Sequence, residues 1–132
     1  MDIIYRYDSH SPIATEKIKT PKDSIQALED GHERFRTIIK RVVSEMVEGI
    51  KSEPFIVEKH PLSLGFSISG APPQVPHALV LGCSDARVPV ERIFDHPQYG
   101  MFVVRVAGNV LGTECLGSID YAVQNIKSLK LV

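Results

Sequence analysis

The sequence predicts an α/β domain with a parallel β-sheet core, crossover helices and an N-terminal helical arm. Three observations predict it. The apolar runs Ala78-Leu79-Val80-Leu81 and Met101 to Val106 lack the polar alternation of a half-exposed strand, as expected of strands covered on both faces. Helical signals follow each run: Pro89-Val90-Glu91-Arg92-Ile93-Phe94, with a proline in the first turn, and Leu116 to Ile126, where Ile119, Tyr121 or Ala122, Val123 and Ile126 recur at three- and four-residue steps. Leu129-Lys130-Leu131-Val132 then begins a third strand, and strand, helix, strand, helix, strand is a parallel unit with right-handed crossovers.

Upstream, Met1 to Thr20 has little periodicity and reads as an extended arm that needs a partner surface. Thr20-Pro21-Lys22-Asp23 is a helix start, with Thr20 as N-cap, Pro21 at the first helical position and Asp23 favourable to the helix dipole. Ile25, Leu28, His32, Phe35, Ile38 or Ile39, Val42 or Val43, Met46 and Ile50 then form one apolar stripe, which predicts a helix to about Lys51, with a break near Gly31. Between 54 and 77 the prolines and glycines predict a long loop packed by Leu62, Leu64, Phe66 and Ile68, with Phe55-Ile56-Val57 as a candidate short strand. The chain is therefore read as a single domain: 1–53 arm and helix, 54–77 loop, 78–132 α/β core.

Composition excludes several classes. Fifteen basic against sixteen acidic residues give a net charge of −1, so no field favours nucleic acid or an anionic membrane. No apolar run approaches the roughly 20 residues of a membrane span. The N-terminal stretch lacks a basic region followed by a long apolar core, so a cytoplasmic site is the default. Two cysteines, Cys83 and Cys115, make no disulfide framework.

The chemistry concentrates where the first strand ends. Within five residues after Gly82, Cys83-Ser84-Asp85-Ala86-Arg87 presents a thiol, a carboxylate and a guanidinium at the carboxyl end of a buried strand, where open α/β sheets bind ligands. Three chemistries are open to it. Cys83 beside Arg87 suits a nucleophilic thiolate, although Pro89 stands where the phosphatase spacing needs its arginine. A redox pair would need Cys-x-x-Cys, and Cys115 is too far along the chain. The third is metal binding, with Cys83 as a soft ligand and Asp85 either a second ligand or the acceptor of a bidentate bond from Arg87.

GCSDARVPVERIF, FVVRVAGNV and GSIDYAV, in that order, resemble three consecutive blocks of the β-class carbonic anhydrases, and ALEDGHERF more faintly resembles that family's N-terminal helical segment. The resemblance covers most of Gln74 to Val132. It implies a zinc lyase that reversibly hydrates carbon dioxide to bicarbonate and a proton, with hydroxide as nucleophile and Zn²⁺ as cofactor. It implies Cys83 as a zinc ligand. It also implies an Asp85–Arg87 dyad in which Asp85 accepts a hydrogen bond from the nucleophile or, in a closed form, ligates the metal. Gln74 corresponds to an amide that donates to substrate across a dimer interface, and Phe102 and Tyr121 to aromatic residues of the carbon dioxide pocket. Gly108 and Asn109 fit the turn after the second strand. The implied assembly is a homodimer or higher homo-oligomer, with no nucleic acid or membrane partner.

The sequence also departs from that pattern. The family's remaining zinc ligands, a His-x-x-Cys pair, would fall shortly past Val132, and His10, His32, His60, His77 and His96 do not align with them. A C-terminally incomplete β-carbonic anhydrase fold is therefore expected, inactive as 132 residues alone. The alternatives are a non-catalytic scaffold and a truncated fragment without a complete metal site. Val106 stands where the family usually has Asn, and Ala86 where Ser is more common. His77 and His96 read as solvated or packed residues, and Cys115 as a packed thiol.

Overall fold

The computed structural model describes residues 1–11, 15–49, 51–64, 70, 74–97 and 99–132. Ile50, expected on the helical stripe, and Phe66 and Ile68, expected to pack the long loop, lie outside them. The order is β1 (Ile3–Tyr7), α1 (Pro21–Glu48), β2 (Phe55–Lys59), a 3₁₀ turn (Pro61–Leu64), β3 (Ala78–Cys83), α2 (Val90–Ile93), β4 (Met101–Val106), a second 3₁₀ turn (Ala107–Asn109) and α3 (Thr113–Asn125). No helix among the described residues is long and apolar enough to cross a membrane.

The α/β core forms as the sequence predicts. β3 and β4 pair in parallel, with Ala78 opposite Met101 and Cys83 opposite Val106. β3 continues past the expected Leu81 through Gly82 to Cys83, so the thiol sits on the last strand residue. The third strand is reduced to one parallel bridge between Ala78 and Leu131, closed by Leu79 N–H donating to the Leu131 carbonyl at 2.9 Å. α3 starts at Thr113, before the expected Leu116; Thr113-Glu114-Cys115 carries no apolar periodicity to announce it.

The N-terminal arm finds its partner within the chain. β1 pairs in parallel with β2 from Ile3 opposite Phe55 to Tyr7 opposite Lys59, so residues 54–77 are not simply a loop. The β-branched and aromatic residues of IIYRY and FIVEK favour this extended pairing. Leu64, expected to pack the loop, is exposed.

α1 begins at the predicted cap. Asp23 N–H donates to Thr20 Oγ1 at 3.2 Å and Thr20 N–H donates back to Asp23 Oδ2 at 2.8 Å, satisfying two otherwise unpaired donors reciprocally. The helix runs unbroken through Gly31 and ends at Glu48, short of Lys51, capped by Gly49. Its inward face follows the predicted stripe at Leu28, buried, and at His32, Phe35, Ile38 and Val42, half-buried; it departs from it at Ile25 and Met46, which are exposed, and at Ser24 and Gly31, which are buried. A Cβ on Gly31 would lie 1.8 Å from the Phe94 carbonyl oxygen, so glycine permits a close backbone approach to the end of α2. Leu28, Ala78, Val90 and Met101 form the core, with Val80, Phe94, Val103 and Leu131 packed around it.

A polar chain crosses this core. Ser24 Oγ lies 2.7 Å from His77 Nδ1 and 3.4 Å from the His77 carbonyl oxygen, and His77 Nε2 lies 2.9 Å from His96 Nε2. His96 Nδ1 is buried with no hydrogen-bond partner among the described residues. An unpaired lone pair is cheaper to bury than an unpaired N–H, so His96 donates Nε2–H to His77, His77 donates Nδ1–H to Ser24, and Ser24 donates its hydroxyl to the His77 carbonyl.

Candidate active site

The carboxyl ends of β3 and β4 build the site. Cys83 ends β3, half-buried, and its Sγ accepts two backbone N–H groups at 3.4 Å each, from Asp85 and from Gly108. Gly108 has φ 64°, left-handed backbone that glycine adopts without strain, and Asn109 follows at φ 58°. This tight turn after β4 is the one expected, and it aims an N–H at the sulfur. Backbone donors on a cysteine sulfur fix its position and support it as a metal ligand.

Two residues on, Arg87 forks onto Asp85. Arg87 Nε–H is shared between Asp85 Oδ1 at 3.0 Å and Oδ2 at 3.2 Å, and Nη2–H donates to Oδ2 at 2.6 Å. The Arg87 backbone N–H also donates to Oδ1 at 2.8 Å. The Arg87 side chain, then its backbone N–H, hold the Asp85 carboxyl below the ordinary carboxylate range; slight desolvation opposes them and the Arg105 charge assists. Asp85 is therefore ionised at neutral pH and has acceptor capacity left, since two oxygens offer about four lone-pair positions.

One participant was not singled out from the sequence. Arg105, on β4 opposite Gly82, donates Nε–H to the Cys83 carbonyl at 2.9 Å. Its Nη2 donates to the carbonyls of Asp85 at 2.8 Å and Val88 at 3.3 Å. Its signal was a charge inside the apolar run MFVVRV, a position that asks for a polar partner.

Phe102 and Tyr121 are brought together, with ring centroids 6.5 Å apart and planes inclined at 37°. Phe102 also lines a cleft of about 330 Å³ with Val104, Arg105, Glu114, Cys115 and Ser118. Cys115 is buried at this cleft, as a packed thiol should be. Gln74 is exposed, before the buried Pro76-His77-Ala78 edge.

A catalytic zinc needs three protein ligands and an open position. Cys83 suits one of them by its chemistry and its N–H donors. Asp85 is the adjacent carboxylate, with both oxygens engaged by Arg87. Among the described residues no group of three or more His, Cys, Asp or Glu side chains stands close enough to hold a metal. The donors fit zinc as part of a ligand set.

Comparison with known proteins agrees with this geometry. The sequence profile of the carbonic anhydrase family matches residues 78–132, the segment that contains β3, the dyad, β4 and α3. Carbonic anhydrase 2 of Mycobacterium tuberculosis is 39% identical over 103 residues, covering 78% of this chain and 42% of that protein. The carbonic anhydrase of Mycolicibacterium smegmatis is 52% identical over 54 residues, 41% of this chain and 26% of that protein. The chain thus spans less than half the length of either relative. With the parallel β3–β4 pair and the Cys83-Asp85-Arg87 edge inside the matched segment, the chain belongs, through residues 78–132, to the β-class carbonic anhydrase family.

Proposed function

We propose that this protein contributes a carbonic anhydrase site for the reversible hydration of carbon dioxide to bicarbonate and a proton. The observation that carries this reading is the ionised Asp85 carboxylate, fixed by the Arg87 fork two residues from a Cys83 sulfur that accepts two backbone N–H groups. Cys83 would hold zinc as a thiolate, together with donors beyond Cys83 and Asp85. When bound, the metal supplies a water acidified toward neutral pH.

The chain's own residues supply orientation. Asp85 is an acceptor only, so it holds a hydroxyl by that group's proton and turns its oxygen lone pair away from the carboxylate. Arg87 keeps Asp85 charged and stationary, which spares reorganisation when the reaction occurs. Carbon dioxide is small and apolar, and the half-buried Phe102 with Tyr121, exposed in this chain, would supply an apolar surface for it. Gln74, exposed, would donate its amide to substrate across an interface between two copies of the chain in a homodimer or larger assembly.

The test measures zinc content and carbon dioxide hydration by stopped flow for the protein, Cys83→Ala and Asp85→Asn. In a protein that carries the further zinc donors, the expected outcome is stoichiometric zinc, its loss in Cys83→Ala, and retained zinc with hydration slowed about a hundredfold or more in Asp85→Asn, whereas the 132 residues alone are expected to be inactive. A protein that takes up no zinc supports the non-catalytic scaffold instead. Activity that survives chelation and is lost on alkylation of Cys83 would point to a thiol enzyme.

A further inference from the structure

We propose that Arg105 is a positioning residue: its guanidinium gathers the carbonyls of Cys83, Asp85 and Val88 and thereby sets the loop that aims Asp85 and Arg87. The inference rests on Asp85 being a working group of the site, as proposed above. Residues 84–89 leave β3 without regular secondary structure, and the one main-chain hydrogen bond within them is Val88 N–H donating to the Asp85 carbonyl at 3.0 Å. The Cys83 carbonyl at the end of β3 and the Asp85 and Val88 carbonyls of this loop converge on one side chain, at 2.9 Å, 2.8 Å and 3.3 Å. The planar guanidinium fixes directions as well as distances, which an ammonium on a flexible stem does not do.

The consequence lies in what the loop then presents. With the Cys83 and Asp85 carbonyls turned toward Arg105, the Asp85 N–H points at the Cys83 sulfur at 3.4 Å. The Arg87 N–H points at Asp85 Oδ1 at 2.8 Å. That second bond closes a tight turn within which the Arg87 side chain reaches back to form its fork. Arg105 thus acts on the carboxylate through backbone, without donating to it. The register places it there: Arg105 lies opposite Gly82, one residue before the end of the strand pair.

Two measurements on Arg105→Met and Arg105→Lys test this, and neither involves metal or carbon dioxide. The first follows tryptic cleavage after Arg87, read by mass spectrometry. The second follows hydrogen exchange of the backbone amides of residues 84–88. Cleavage after Arg87 is expected to rise roughly tenfold or more in Arg105→Met, the factor for losing a charged hydrogen bond, while the thermal midpoint reports global stability separately. Exchange of the 84–88 amides is expected to be faster than in the wild type in both variants. Arg105→Lys keeps the charge, so wild-type exchange there would show that Arg105 acts through its field and would overturn the proposal. Unchanged cleavage and exchange in a folded Arg105→Met would overturn it equally. If Arg105→Met does not fold, Arg105→Lys decides alone. A protein without zinc or hydration activity leaves these two readouts intact, so the two proposals fail separately.

Discussion

His77 and His96 show at the level of single residues how burial becomes a dependence on pH. Both rings are neutral in the folded chain, because burial lowers each; His96, further opposed by His77, Arg34 and Lys59 and only partly helped by Asp95, is pushed down to about 4. An unfolded histidine titrates near 6.5. The stability these rings contribute is therefore present above about pH 6.5 and is lost as pH falls below it, for His96 down to about 4, because the unfolded chain binds protons that the folded one refuses. For His96 the loss is about 1 kcal/mol between pH 7.5 and 5.5, where most carboxylates stay ionised. Urea unfolding at the two pH values should show it, and His96→Gln should flatten the dependence. If His96→Gln keeps the full slope, the proton is bound elsewhere. The His77–His96 pair was not legible in the sequence, since nothing local marks residues on separate segments as neighbours. Cys83, Asp85 and Arg87 were legible because their interactions span only a few residues along a strand end, whereas Arg105 reaches the same loop from the next strand.

The elements were legible where local chemistry specified them. Thr20, Pro21 and Asp23 fix the start of α1 by bonds within four residues, and β4 follows from an uninterrupted β-branched run. Ser24 and Gly31 on the buried face of α1 escaped the hydrophobic reading because close contact selects small residues, which carry no hydrophobic signal. Gly31 is the sharpest case. Helix propensity alone favours alanine there by about 1 kcal/mol, yet the added methyl would meet backbone rather than a side chain that could turn aside. Gly31→Ala is expected to cost about 2 kcal/mol net, through displacement of α1 from α2. Denaturant unfolding measures this, and a stabilised variant would mean that the two helices separate at little cost.

Across the whole molecule, the two parallel pairs differ in depth. β3 and β4 carry the core, with Ala78, Leu79, Met101 and Val104 buried, while β1 and β2 leave Ile4, Tyr5, Tyr7 and Ile56 substantially exposed. Local opening follows buried apolar contact, so amides of β1 and β2 should exchange with solvent well before those of β3 and β4. Hydrogen exchange read by mass spectrometry tests this; equal protection would mean that both pairs open only with the whole fold. The pairing of Ile3 with Phe55 was illegible for a physical reason: register between distant segments is fixed by packing, and neither segment carries the turn chemistry that would announce it. The same pairing bears on biosynthesis. β1 leaves the ribosome before its partner exists, and at about 5–20 residues per second roughly 3–10 s pass before the β2 residues are made. Throughout that interval Ile3, Ile4, Tyr5 and Tyr7 form a β-prone segment with its hydrogen-bonding edge unsatisfied.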